Sequence, residues 1–271
     1  MENTKSDPTN IVEVHNLIKR YGSFTAVDNI SFNVPHGNIF AFLGPNGAGK
    51  TTTIKMLTTL LLPTSGTLLI NGFDAVKDPQ DVRKSFGIVF QDPSLEDELT
   101  AYENMEFHAV LYSVPKDDRK KRIQDLLEFV ELWNRKDELV KNFSGGMKRR
   151  LEIARGLLHH PKIFFLDEPT QGLDPQTRNH IWHYLQDLSI KEGISIFFTT
   201  HYLEEAQEYA NRIAIMDHGH IVKEGTVDTI KKDTGKETLE EAFLSLTGTE
   251  IRDEEASGVE QLRRHRQMRG R

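Results

Sequence analysis

The stretch Gly44-Pro45-Asn46-Gly47-Ala48-Gly49-Lys50-Thr51-Thr52 leaves this chain few folds to adopt. It fits the pattern G-x-x-x-x-G-K-S/T, and its flanks suit that pattern. Residues 38–43 are short, apolar and strand-like, and residues 54–60 read as a helix with Ile54, Met56, Leu57 and Leu60 turned inward. Gly44, Gly47 and Gly49 permit positive φ, so that backbone N–H groups can curl around a phosphate. The helix that begins here points its positive end at the same anion. Lys50 places an ammonium on the β- and γ-phosphates, and the Thr51 hydroxyl is a hard oxygen donor for Mg²⁺. Nucleotide binding is therefore the premise for reading the remaining residues.

With 271 residues the chain suffices for one large domain or two small ones. Its net charge of −7 argues against a nucleic-acid binder, which usually carries a basic excess. The absence of cysteine excludes disulfides and zinc–thiolate sites. Residues 1–10 are polar, lack the apolar region of a signal peptide and read as a flexible N-terminus. No apolar run approaches the ~18 residues of a membrane-spanning helix. Work at a membrane would need another chain to bring this one there.

Residues 11–35 alternate and are rich in β-formers, as expected of an antiparallel layer entered before the nucleotide core. Tyr21 sits at a strand end, where position alone favours an ordinary tyrosine over a platform for a base. Residues 66–72 and 86–91 read as further strands, the second ending in Gln91. That glutamine is either a simple strand-end residue or one that reaches Mg²⁺ or an attacking water. From Thr100 the period turns helical, with Glu103 completing a capping box. Ile123, Leu126, Leu127 and Val130 share one face, behind a basic run, residues 119–122, read as a solvated helix face. No strand pattern interrupts 100–158, so this is a helical insertion in an α/β domain.

Ser144 is placed to cap the next helix, and Gly145 and Gly146 follow in its first turn. Two glycines there cost stability and make sense where backbone must approach something closely. Residues 162–168 form an apolar strand, hence a central parallel one, ending in Asp167 and Glu168. Asp167 suits Mg²⁺ and Glu168 suits a base for the attacking water. Asp174 turns the chain into a long helix. Residues 194–200 form the next buried strand, and His201 ends it at the ligand edge of an open sheet. A hairpin over 212–224, a short amphipathic helix within 235–248 and a disordered tail over 249–271 complete the chain.

In this order the motifs resemble those of the ATP-binding subunit of ABC transporters over residues 11–234. Residues 44–52 match the P-loop, Gln91 the Q-loop glutamine and residues 143–147 the signature motif. Residues 162–168 match Walker B with its catalytic glutamate, 172–174 the D-loop, and His201 the switch histidine. Tyr21 falls where the family stacks adenine on an aromatic ring. Phe143 and Met147 depart from the commonest signature, while Ser144, Gly145 and Gly146 are intact. The residues after Met147 and after His201 look like the export-type branch.

The resemblance implies a P-loop NTPase with a mostly parallel central sheet, an antiparallel β subdomain and an inserted α-helical subdomain. It implies ATP with Mg²⁺ on Thr51, Gln91 and Asp167, and catalysis by Glu168, His201 and Gln91. Nucleotide contacts fall on Tyr21, Gly44, Pro45, Asn46, Gly47, Ala48, Gly49, Lys50, Thr51 and Thr52, and on Ser144, Gly145 and Gly146. Asp174 belongs to the interface with a second ATP-binding subunit, paired head to tail. Membrane subunits encoded elsewhere would carry the substrate, with this chain on the cytoplasmic face of the membrane and no nucleic acid bound. Two other readings are an importer ATPase and a soluble relative acting on DNA or ribosomes. The soluble relatives usually carry two cassettes or a long coiled coil, neither of which this sequence shows.

Overall fold

In the computed structural model, residues 7 and 9–248 are described. The stretch 1–10 falls largely outside them, and the tail 249–271 lies wholly outside. Strands β1 (Asn10–Tyr21) and β2 (Phe24–Pro35) pair antiparallel. Then β3 (Ile39–Leu43) runs through the glycine-rich loop into helix α1 (Lys50–Leu57). Strand β4 (Ser65–Ile70) returns to the free side of β1, and β5 (Phe73–Asp74) pairs with β4. Helix α2 (Pro79–Ser85) leads to β6 (Phe86–Val89), and α3 (Ala101–Leu111), α4 (Lys116–Phe129) and α5 (Gly145–Gly156) form the helical stretch. Strand β7 (Ile163–Asp167), α6 (Pro175–Glu192), β8 (Ser195–Thr200) and α7 (Leu203–Tyr209) follow. The hairpin of β9 (Arg212–Asp217) and β10 (His220–Gly225) precedes α8 (Val227–Thr234) and α9 (Leu239–Thr247).

The strands divide into an antiparallel sheet, β2-β1-β4-β5, and a six-stranded sheet, β10-β9-β3-β8-β7-β6. In the second, only β10 is antiparallel to its neighbour. Every residue of β3, β7 and β8 is buried, as strands covered on both faces must be. Alternation along them sorts side chains between two cores. Phe40, Phe42, Phe165 and Phe197 face the antiparallel sheet and α1, whereas Ala41, Leu43, Phe164 and Phe198 face the helical side. The Phe32 ring of β2 lies 4.9 Å from Phe42 and 5.7 Å from Phe40, closing the first core. Each such aromatic contributes about 1.5–3 kcal/mol by leaving water.

The expected elements are present, with local differences. α1 stops at Leu57 because Thr59 takes a left-handed φ of 58°, so Leu60 is exposed instead of turned inward. Thr100 and Glu103 form the capping box of α3. The basic run on α4 is not simply a solvated face. Arg119 Nε donates to the Val114 carbonyl at 2.7 Å, and Arg122 Nη2 to the Leu157 carbonyl at 2.8 Å. Both guanidiniums satisfy carbonyls beyond the reach of helix hydrogen bonding. Between 100 and 158 the described residues hold helices, turns and one isolated bridge, Thr100 to Leu139. α9 docks through buried Leu239 and Ala242.

Candidate active site at the carboxyl ends of the parallel strands

The tips of β3, β7 and β8 converge, because parallel strands in register end on one edge. From β3 comes the loop 44–49. Gly47 and Gly49 take φ of 78° and 105°, as the loop's curl requires, but Gly44 does not have positive φ. Gly44 is needed for closeness: a Cβ there would meet the Met216 carbonyl oxygen at 2.3 Å. The β9–β10 turn supports the loop from behind, with Gly219 N–H donating to the Ala48 carbonyl at 3.0 Å.

Lys50 is buried and donates to the carbonyls of Gly44 at 2.6 Å and Pro45 at 3.0 Å. Its Nζ lies 3.9 Å from Glu168 Oε1. Burial pulls the Lys50 ammonium below its ordinary pKa, while Glu168 and Asp167 act against that fall. At the tip of β7, Asp167 Oδ1 accepts from Thr199 Oγ1 at 2.6 Å and Thr51 Oγ1 at 3.3 Å. Burial raises the Asp167 carboxyl despite those two hydrogen bonds. Glu168 has φ of 47°, a conformation that few residues with side chains adopt. Its N–H donates to Thr199 Oγ1 at 3.0 Å, so one hydroxyl of β8 holds both carboxylate residues.

His201, just past β8, brings Nδ1 to 3.2 Å from Glu168 Oε2 without reaching hydrogen-bond alignment. Burial works to raise the Glu168 carboxyl, but the neighbouring His201 and the Lys50 charge outweigh it, and its pKa lies below the ordinary value. A carboxylate that stays ionised, aimed between a lysine and a histidine, is equipped to accept a proton from water. Tyr21 ends β1 beside the loop. Its hydroxyl meets Thr52, and Lys19 Nζ stands 5.1 Å from its ring centroid.

Other sequence candidates lie apart. Gln91 donates from its amide to Gln171 Oε1 at 2.6 Å. Ser144 caps α5, accepting from Met147 N–H at 3.3 Å. Gly145 and Gly146 pack toward the 173–177 segment, and a Cβ on Gly146 would come within 2.5 Å of Thr177 Cγ2. Asp174 caps α6, accepting from Thr177 N–H at 3.0 Å and Thr177 Oγ1 at 2.7 Å.

Sequence reasoning passed over three supporting residues. Thr199 bridges Asp167 and Glu168. Buried Glu205 accepts from the hydroxyls of Thr170 and Thr200, joining the segments that follow Glu168 and precede His201. Arg149 reaches the Glu168 carbonyl. A threonine inside a strand and charges on helices carry no local signal of such roles, but Arg149 and Glu152 share the i, i+3 spacing of an ion pair.

The chain matches the ABC transporter family over residues 27–171. It is 40% identical over 234 residues to the daunorubicin/doxorubicin resistance ATP-binding protein DrrA of Streptomyces peucetius, covering 86% of this chain and 71% of that one. It is 38% identical to the linearmycin resistance ATP-binding protein LnrL of Bacillus subtilis, over 87% of this chain and 75% of the relative. Among solved structures, an ATP-binding subunit of an ABC transporter superposes with a TM-score of 0.80 at 31% identity, covering 87% of this chain and 99% of the other. The dimeric cassette MJ0796 bound to ADP and Pi superposes with a TM-score of 0.72 at 28% identity, over 79% of this chain and 98% of that one. The loop at 44–52, the carboxylates beyond β7 and the likeness of fold and sequence agree: this chain belongs to the ABC transporter family and is one of its ATP-binding, ATP-hydrolysing cassettes.

Proposed function

We propose that this cassette drives export through separate membrane subunits, working as a head-to-tail pair that closes on ATP. Two relatives with resistance names and a third, the Nod factor export ATP-binding protein I of Ralstonia nicotianae at 41% identity, support the direction. The third match covers 80% of this chain and 67% of the relative. Dimeric MJ0796 supports the pairing. Among the described residues no helix is long and apolar enough to cross a membrane. The membrane subunits would hold the cassette at the cytoplasmic face. The working unit is residues 11–234, with 100–158 as helical insertion and the helix within 235–248 docked on it.

The observation that carries the reading is the Lys50–Glu168–His201 cluster at the strand tips. Residues 44–52 hold the phosphates with backbone N–H groups and Lys50, and the Tyr21 ring receives adenine. Glu168 orients the attacking water and takes its proton as the γ-phosphoryl group passes to it, and His201 contacts the γ-phosphate. Ser144, Gly145 and Gly146 of the partner copy cover the phosphates from the other side, with Asp174 at the same interface. Among the described residues no cluster of three acidic, histidine or cysteine side chains could hold a metal alone. That suits Mg²⁺, which takes one or two carboxylates and completes its shell with phosphate oxygens and water. Asp167 and Thr51 would hold it, with Gln91 approaching once its amide leaves Gln171. When bound, the ion neutralises charge on the β- and γ-phosphates.

Tagged Glu168→Gln protein, purified with ATP from gently solubilised membranes, tests the assignment. A stoichiometric multi-spanning membrane protein of exporter type is expected. Ribosomal proteins or DNA without a membrane chain would overturn transport, and a membrane partner of importer type would overturn export.

A further inference from the structure

Arg149 leaves the second turn of α5 and ends in a buried guanidinium with acceptors on three segments. Nη1 donates to the Phe90 carbonyl at 2.5 Å and to Glu152 Oε2 at 3.2 Å. Nη2 donates to the carbonyls of Gln91 and Glu168, each at 3.4 Å. Glu152, itself buried, accepts from Ser94 N–H at 2.7 Å through its other oxygen. Arg155, farther along the same helix, donates to the Ser94 carbonyl at 2.7 Å. One face of α5 therefore grips the 90–94 segment, and Arg149 alone extends that grip to Glu168.

Glu168 needs such a grip. Its φ of 47° is unfavourable for a residue with a side chain and persists only where neighbours over-determine it. Thr199 holds its N–H, and its carbonyl accepts both from the Gln171 N–H of the following turn at 3.3 Å and from Arg149, the donor that ties it to α5. We infer that Arg149 is a positioning residue for hydrolysis: it fixes the backbone of Glu168, and so the aim of its carboxylate, in register with the Gln91 segment. The inference rests on the role proposed above for Glu168. The work belongs to the planar fork and not to the charge, because only a guanidinium donates in several fixed directions at once.

The test compares Arg149→Lys, Glu168→Gln and the double variant, by phosphate release and by titration with a fluorescent ATP analogue. Lysine keeps a cation beside Glu152 but cannot span the carbonyls of Phe90 and Glu168 together. Arg149→Lys should lower kcat about ten- to hundred-fold, the cost of misplacing a catalytic group by about 1 Å, with analogue affinity within about two-fold of wild type. Added to Glu168→Gln, it should change the residual single-turnover rate by less than about two-fold, since the group it positions has gone. A second variant pair, Arg149→Met with Glu152→Gln, removes both charges of the buried pair together and keeps an acceptor for Ser94, and it should show the same loss of kcat.

An inactive Glu168→Gln beside a fully active Arg149→Lys would overturn this inference alone. A loss as large in the Glu168→Gln background as in wild type would do the same. Wild-type turnover in Glu168→Gln would remove the base and this inference with it.

Discussion

Replacing Gly146 with alanine separates two reasons for a glycine at the start of α5. The new methyl would lie 2.5 Å from Thr177 Cγ2, about 1 Å inside ordinary contact. Overpacking of this kind costs roughly 1–3 kcal/mol, while alanine in place of glycine in a helix returns about 1 kcal/mol. The net is a loss of up to about 2 kcal/mol, centred near 1, or about 3 °C in Tm for a domain of this size. The displaced Thr177 also loosens its hydroxyl contact with Asp174, so the 172–174 segment should shift with it. Serine at 177 lacks the clashing methyl and keeps the hydroxyl. Gly146→Ala with Thr177→Ser should therefore regain the wild-type Tm, read by thermal denaturation without nucleotide. Its ATPase activity then reports what the glycine does beyond packing. If Gly146→Ala lowers turnover, a loss that persists in the re-stabilised pair points to the backbone's approach to phosphate, and recovery there points to the seating of Asp174. A Gly146→Ala protein as stable as wild type, or one that Thr177→Ser does not relieve, would refute the packing argument.

Two further outcomes follow from the same geometry. Glu168→Gln keeps the shape of the side chain and removes only its charge, so kcat should fall about 10²- to 10⁴-fold while nucleotide affinity holds or tightens, because Lys50 loses a competitor 3.9 Å away. Turnover within about three-fold of wild type, measured by phosphate release, would remove Glu168 from proton transfer. His108, half-buried with its ring against Tyr112, which in turn stacks on His159, has its pKa lowered from 6.5 to about 3, by desolvation first and then by the Arg155 and His159 charges. As pH falls below 6.5 the unfolded chain takes up a proton that the folded chain refuses until about 3, so this contribution to stability is full above 6.5 and drains away through that window. Tm should fall less steeply between about pH 6.5 and 5 in His108→Gln than in wild type, and parallel curves would contradict the assignment.

How far the sequence reaches is set by how local each cause is. The 44–52 loop announces itself because its glycines, lysine and threonine lie within nine residues and its strand and helix flank them directly. The buried strands of 162–168 and 194–200 were legible for the same reason, since full burial leaves an unbroken apolar run. Asp167 and Glu168 could be placed at a strand tip, and His201 at the neighbouring one, because parallel register follows from strand order. What stays hidden is set by contacts between distant segments. Gly44 reads as one more flexible glycine until the Met216 carbonyl, 172 residues on, is found against it. Gly146 reads as a place where backbone approaches something closely, and only the fold shows Thr177 as one neighbour that a Cβ there would meet. The basic run of α4 reads as solvated until Arg119 and Arg122 are found donating to the carbonyls of Val114 and Leu157. Arg149 is the furthest case. Its four acceptors come from two strand ends and its own helix, and no window of sequence holds them together. The residues that perform the chemistry are therefore legible from short motifs, while the residues that aim them emerge only when the strand tips and the helix face meet.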